Sequence, residues 1–148
     1  MRSVLSRFVS VLALATAVLV LQPSASAATV PYRARGAAQF VNANDFVGSG
    51  NATYLGKYTE TGTVAFAATN DPNVLAVDGS AVYTAANGDE LHAVFAGQLN
   101  GVTGTINATV TYVGGTGRFA DASGTATLIA HVLADGSLEV AVDGTLDY

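Results

Sequence analysis

Two histidines, one arginine in a glycine-rich loop and a scatter of tyrosines are the side chains through which this 148-residue chain could do chemistry. His92 and His131 stand far apart, and neither has a second His or a Cys at ligand spacing. A zinc site wants three or four such ligands, so no metal or other cofactor is expected. His131, between Ile129 and Leu133 in its alternation phase, is the better expectation for a polar group inside a cavity, where an imidazole acts as acid or base near neutral pH. His92 shares its phase with Glu90 and Val94, opposite Leu91, Ala93, Phe95 and Leu99, and reads as a surface side chain. The chain has no cysteine, no Gly-x-Ser-x-Gly elbow and no recognisable order of Ser, His and acid, so nucleophilic catalysis has no constellation to work with. Asp89-Glu90 and Asp135 fall at turn signals and are expected to be solvated.

The most specific stretch runs Thr111-Tyr112-Val113-Gly114-Gly115-Thr116-Gly117-Arg118-Phe119-Ala120-Asp121. Its glycines permit a tight, positive-φ path on which backbone amides can converge on an anion, with Arg118 as counter-charge. A phosphate cradle would also need a Gly-Lys-Ser/Thr ending and a following helix, and neither is present. The preferred reading is a structural turn in which Phe119 folds back to plug one end of the fold and Arg118 pairs with a nearby acid such as Asp121. His131, Tyr112, Arg118 and Phe119 are the residues nominated to meet a ligand. Tyr54, Tyr83, Phe40, Phe46, Phe66 and Phe95 are expected in the core or on a pocket wall.

What positions these residues is a period-two pattern broken every eight to twelve residues by Gly, Asn or Asp. Ile106, Ala108, Val110 and Tyr112 share one face while Thr105, Asn107, Thr109 and Thr111 share the other. Leu138, Val140, Val142 and Leu146 alternate with Glu139, Ala141, Asp143 and Thr145, and Val64 and Phe66 alternate with Thr63, Ala65 and Ala67. Asn87-Gly88, Asn100-Gly101 and Asp135-Gly136 are dipeptides that tolerate the positive φ of hairpin turns. The spacing predicts eight strands near 32–41, 46–55, 58–68, 75–85, 90–99, 102–113, 123–133 and 137–147, with no helix. Such a chain packs as a sandwich or closes as an eight-stranded antiparallel up-and-down barrel, and the barrel is preferred because closure removes exposed edges.

The run Gly114-Gly115-Thr116-Gly117-Arg118-Phe119, followed by Ser123-Gly124 opening another strand, resembles the signature of the allene oxide cyclase and dirigent superfamily. Gly50-Asn51-Ala52-Thr53-Tyr54-Leu55-Gly56-Lys57-Tyr58-Thr59 and Thr84-Ala85-Ala86-Asn87-Gly88-Asp89-Glu90-Leu91 are similar to bacterial secreted members of that grouping, whose functions are mostly unknown. The resemblance implies a calycin-like barrel, often with an apolar cavity, in a family whose plant members guide cyclisation or radical coupling. The plant enzymes' functional acid, serine, asparagine and cysteine positions do not map onto this chain, so no catalytic residue is carried over.

Residues 1–27 stand apart. Arg2 and Arg7 precede an apolar run from Phe8 to Leu21, too short to span a bilayer comfortably, and Ala25-Ser26-Ala27 forms an A-x-A cleavage motif. A bacterial-type signal peptide is expected, cut between Ala27 and Ala28. That leaves one secreted domain over 28–148, extracellular or periplasmic, with no membrane span after cleavage. Beyond Ala27 the chain carries four cations (Arg33, Arg35, Lys57, Arg118) against 11 acids, which argues against nucleic acid as a partner. Without disulfides, burial and a closed hydrogen-bond network must supply the stability. The function expected is non-catalytic: binding of a small apolar molecule, or a structural or surface role. The alternative is an isomerase or cyclase that confines a reactive intermediate.

Overall fold

The computed structural model describes residues 28–148; the expected signal peptide and the Ala27 side of its cleavage point lie outside the described residues. Eight strands follow one another: β1 (Thr29–Phe40), β2 (Asp45–Ala52), β3 (Gly56–Ala68), β4 (Val74–Ala85), β5 (Glu90–Asn100), β6 (Thr105–Gly115), β7 (Ser123–Val132) and β8 (Leu138–Asp147). Each pairs antiparallel with the next and β8 pairs back onto β1, so the sheet closes as an up-and-down barrel. No strand edge is left open, and every backbone ladder has a partner on both sides. Among the described residues no helix is long and apolar enough to cross a membrane.

Alternation fixes which side chains turn inward. The inward phase of β6 is Ile106, Ala108, Val110 and Tyr112, all buried, while Thr109 and Thr111 face out. On β8 it is Leu138, Val140, Val142 and Leu146. Threonine covers much of the outside, where its branched Cβ suits extended backbone and its hydroxyl meets water. Inside, large rings are accommodated by inward glycines: a Cβ on Gly62 would overlap the Phe46 ring, and one on Gly79 would overlap Phe95.

Gly88 at the β4–β5 turn and Gly136 at the β7–β8 turn have φ of 89° and 83°, as their Asn-Gly and Asp-Gly dipeptides demand. The β5–β6 connection departs from the expected Asn100-Gly101 turn. It is longer, the positive φ falls on Gly104 at 66°, and the Asn100 Oδ1 accepts from the Val102 and Thr103 amides at 2.9 and 3.1 Å. Asn100 stabilises this connection through its side chain.

The two ends of the barrel differ. One end carries the β2–β3, β4–β5 and β6–β7 connections and both termini of the barrel, and it is stoppered. A bulge between β5 and β6, opposite Leu91 to Ala93, redirects the chain into a 3₁₀ turn at Gly117–Phe119. Gly114, at φ 99°, makes that redirection possible. Phe119 is fully buried and stacks at 5.3 Å against Tyr148, which lies 5.3 Å from Tyr54. The plug is therefore as expected, but the acid facing Arg118 is Asp89, at 3.7 Å, not Asp121. The β4–β5 turn reaches across the barrel end to Arg118, whereas Asp121 is its neighbour only along the chain.

Candidate functional site

The opposite end, where β1–β2, β3–β4, β5–β6 and β7–β8 are joined, opens into an apolar chamber. Its walls include Phe46, Val64, Val77, Phe95, Ile106 and Leu138, with the half-exposed Phe40 and Phe66 rings at its mouth, 6.2 Å apart. About 50 Å³ is unfilled. That exceeds the ~10–15 Å³ one water needs and is well below the ~300–1,000 Å³ of a drug-sized site. Space on that scale admits a few heavy atoms, such as the end of a chain.

One carboxyl lines this chamber, that of Glu60 on β3, with 7% of its surface exposed. The strand places it inside by parity, since Tyr58, Glu60, Gly62 and Val64 share the inward phase while Thr59, Thr61 and Thr63 face out. In register it lies opposite Gly48 on β2 and Tyr83 on β4. A Cβ on Gly48 would overlap the Glu60 Oε1, so the carboxyl occupies the space that this glycine leaves. Burial alone pushes the Glu60 carboxyl up to about 7, from an ordinary value of 4.5. Among the described residues no charged partner or hydrogen bond offsets that penalty.

From the level of Glu60 toward the stoppered end lie four tyrosines, the first of which, Tyr83, is level with Glu60 and also lines the chamber. Tyr58 and Tyr83 meet edge-on at 5.5 Å, and Tyr32 and Tyr112 at 5.1 Å. Burial raises all four phenols well above the ordinary range, so they stay neutral; the nearby Glu60 adds to the effect on Tyr32, Tyr58 and Tyr83. Room for the Tyr58 hydroxyl comes from Gly36 and Gly50, paired across β1 and β2. Among the described residues the buried Tyr32 hydroxyl makes no well-formed hydrogen bond, and the Tyr112 hydroxyl is its candidate partner. The interior thus grades from an apolar mouth through one carboxyl to a phenolic floor.

None of the four residues nominated from sequence lines the chamber. His131 does not enter the interior. The inward phase of β7 belongs to Ala126, Leu128 and Ala130, so His131 is exposed on the outer face, its Nδ1 3.3 Å from the Thr105 hydroxyl. Tyr112 is interior but belongs to the tyrosine floor. Phe119 is the stopper. Arg118 is held at the stoppered end, with its guanidinium donating to the Tyr54 carbonyl and stacked 4.8 Å over the Phe119 ring. Those contacts occupy the cation that an anion cradle would need. His92 is at the surface as expected, 2.9 Å from Glu90.

Sequence reasoning missed Glu60. The signal was present: the phase of Val64 and Phe66, continued back along the same strand, lands on Glu60 and Tyr58. Among the described residues no three His, Cys, Asp or Glu side chains gather as a metal site would require. No protein-family model, curated protein or solved structure matches this chain.

Proposed function

We propose that this protein is an exported barrel that binds a small, mainly apolar molecule in the open end of its interior, with Glu60 engaging the polar end of that molecule. The observation that carries the reading is the lone buried carboxyl in the wall of an apolar chamber whose mouth is open. A barrel with a purely structural role gains nothing from an uncompensated carboxyl in its core, because an apolar side chain there would avoid the desolvation cost. The resemblance to the allene oxide cyclase and dirigent superfamily supports the same reading, as do the leader-like first 27 residues, which agree with a role outside the cytoplasm.

Benzene is a suitable neutral probe, since it is a small apolar molecule that engineered protein cavities are able to take up. Its addition should shift the amide resonances of Val77, Phe95 and Ile106, and Ala130→Phe, which fills the chamber, should abolish the shifts. Native mass spectrometry of the protein from its own host should find a small molecule bound. An interior that admits no benzene in solution would overturn the reading. A second reading, an isomerase or cyclase, is favoured by one observation: a carboxyl titrating near neutrality is suited to general acid–base work. It requires turnover of a bound compound, lost in Glu60→Gln.

A further inference from the structure

We infer that the molecule taken up by the chamber carries a basic nitrogen at its polar end, held against the Glu60 carboxyl while its apolar part fills the space beneath Phe40 and Phe66. This deepens the binding reading above and rests on it.

The first ground is what faces Glu60. Its own strand contributes Tyr58, β4 contributes Tyr83, β1 contributes Tyr32, and β2 contributes Gly48 and the Phe46 ring. Strands β5, β7 and β8 present Phe95, Leu128 and Val140. The carboxyl therefore has neutral phenols on one side, apolar walls on the other and, among the described residues, no cation. A buried carboxyl with an open approach and no counter-charge is complementary to a cation delivered from outside.

The second ground is the mouth. Asp45, Asp71 and Asp135 stand at three of its four connections. Within 39–46, 67–76, 99–106 and 131–140, which span the four connections, there is no Lys or Arg, and His131 points outward onto Thr105. The cations Arg33, Lys57 and Arg118 gather toward the stoppered end, where Arg33 pairs with Asp143 at 2.9 Å and Arg118 faces Asp89. A molecule approaching the mouth meets negative charge outside and a carboxyl inside. Fatty acids and other anionic amphiphiles are disfavoured at both points, neutral alcohols are indifferent to the first, and amines are favoured by both. The narrow chamber limits the apolar part to a short chain or a single ring.

The test compares n-hexylamine, n-hexanol and hexanoate, which share one chain and differ in the polar end, by calorimetric titration near pH 8, with benzene as the neutral control. Hexylamine should bind at least about tenfold tighter than hexanol, and hexanoate weakest. Glu60→Gln, close in shape, should erase the amine's advantage while hexanol and benzene still bind. As a second readout on the unaltered protein, saturating hexylamine should lower the midpoint of the Glu60 carboxyl resonance by at least about one pH unit. Hexanol binding as tightly as hexylamine, an amine preference that survives Glu60→Gln, or an unmoved Glu60 titration would overturn the inference. Benzene binding without any amine preference would overturn it and leave the binding reading standing, whereas failure of benzene and all three hexyl compounds would remove both.

Discussion

Gly48 and Glu60 face each other across β2 and β3, and the Glu60 Oε1 lies where a side chain at position 48 would begin. The Ala37 carbonyl closes the same space from β1, 2.7 Å from where a Cβ would sit. Gly48→Ala should therefore cost on the order of 1–3 kcal/mol, the range for overpacking a filled interior. Combining it with Glu60→Ala should recover only part of the loss, because the backbone carbonyl cannot withdraw. Urea unfolding of the single and double variants measures both, and full recovery in the double variant would mean that the carboxyl alone sets the limit.

Stability should fall as pH rises. The folded carboxyl of Glu60 holds its proton up to about 7 while the unfolded chain releases it near 4.5. The contribution is thus fully present below the unfolded value and lost as pH climbs through the folded one. The size is about 3 kcal/mol across that window. Glu60→Gln has no proton to lose, so the difference between its unfolding free energy and that of the parent should change by about this amount between roughly pH 4 and pH 8. Parallel curves for the two proteins would contradict a buried, unpaired carboxyl.

The stopper predicts unequal consequences for two adjacent residues. Phe119→Ala empties a fully buried site and should cost about 3–5 kcal/mol. Arg118 is partly exposed and its ion pair is long, so Arg118→Ala should cost less than about 1 kcal/mol. Phosphate at matched ionic strength should leave the melting temperature of both variants and the parent unchanged. An Arg118-dependent rise with phosphate would identify the loop as an anion site instead of a stopper.

Tyr32→Phe removes a buried hydroxyl that makes no well-formed hydrogen bond among the described residues. The variant should be as stable as the parent or more so, by up to about 1 kcal/mol, since an unmade hydrogen bond is a cost that phenylalanine avoids. A clear loss in thermal melts would mean that the Tyr32 hydroxyl is satisfied in solution, by water or by the adjacent Tyr112.

The strands were legible because one-sided burial writes itself into alternation: Ile106, Ala108, Val110 and Tyr112 could face only one way. Closure was less so, since a sandwich imposes the same period, and it is the pairing of Thr29 with Asp147 and of Ala38 with Leu138 that makes a barrel. The site was the least legible part. His131 drew attention as a rare residue type, but its phase on β7 turns it outward. Glu60 looked like one more polar residue among the threonines of β3, and only its parity marks it as interior. The partner of Arg118 was hidden for a related reason, because Asp89 is distant in the chain and adjacent only once the barrel end has formed.

The β1–β8 ladder joins residues about a hundred positions apart, while every other ladder in the barrel is a hairpin between sequence neighbours. Seven hairpins can zip locally, but the last seam pays the entropy of closing nearly the whole chain. It also leaves Thr29 and Asp147 side by side, so a short linker could join the described ends and new ends could be cut at the exposed Asn87-Gly88 turn. Such a circular permutant would turn the slow seam into an ordinary hairpin and transfer the long-range closure to β4 and β5.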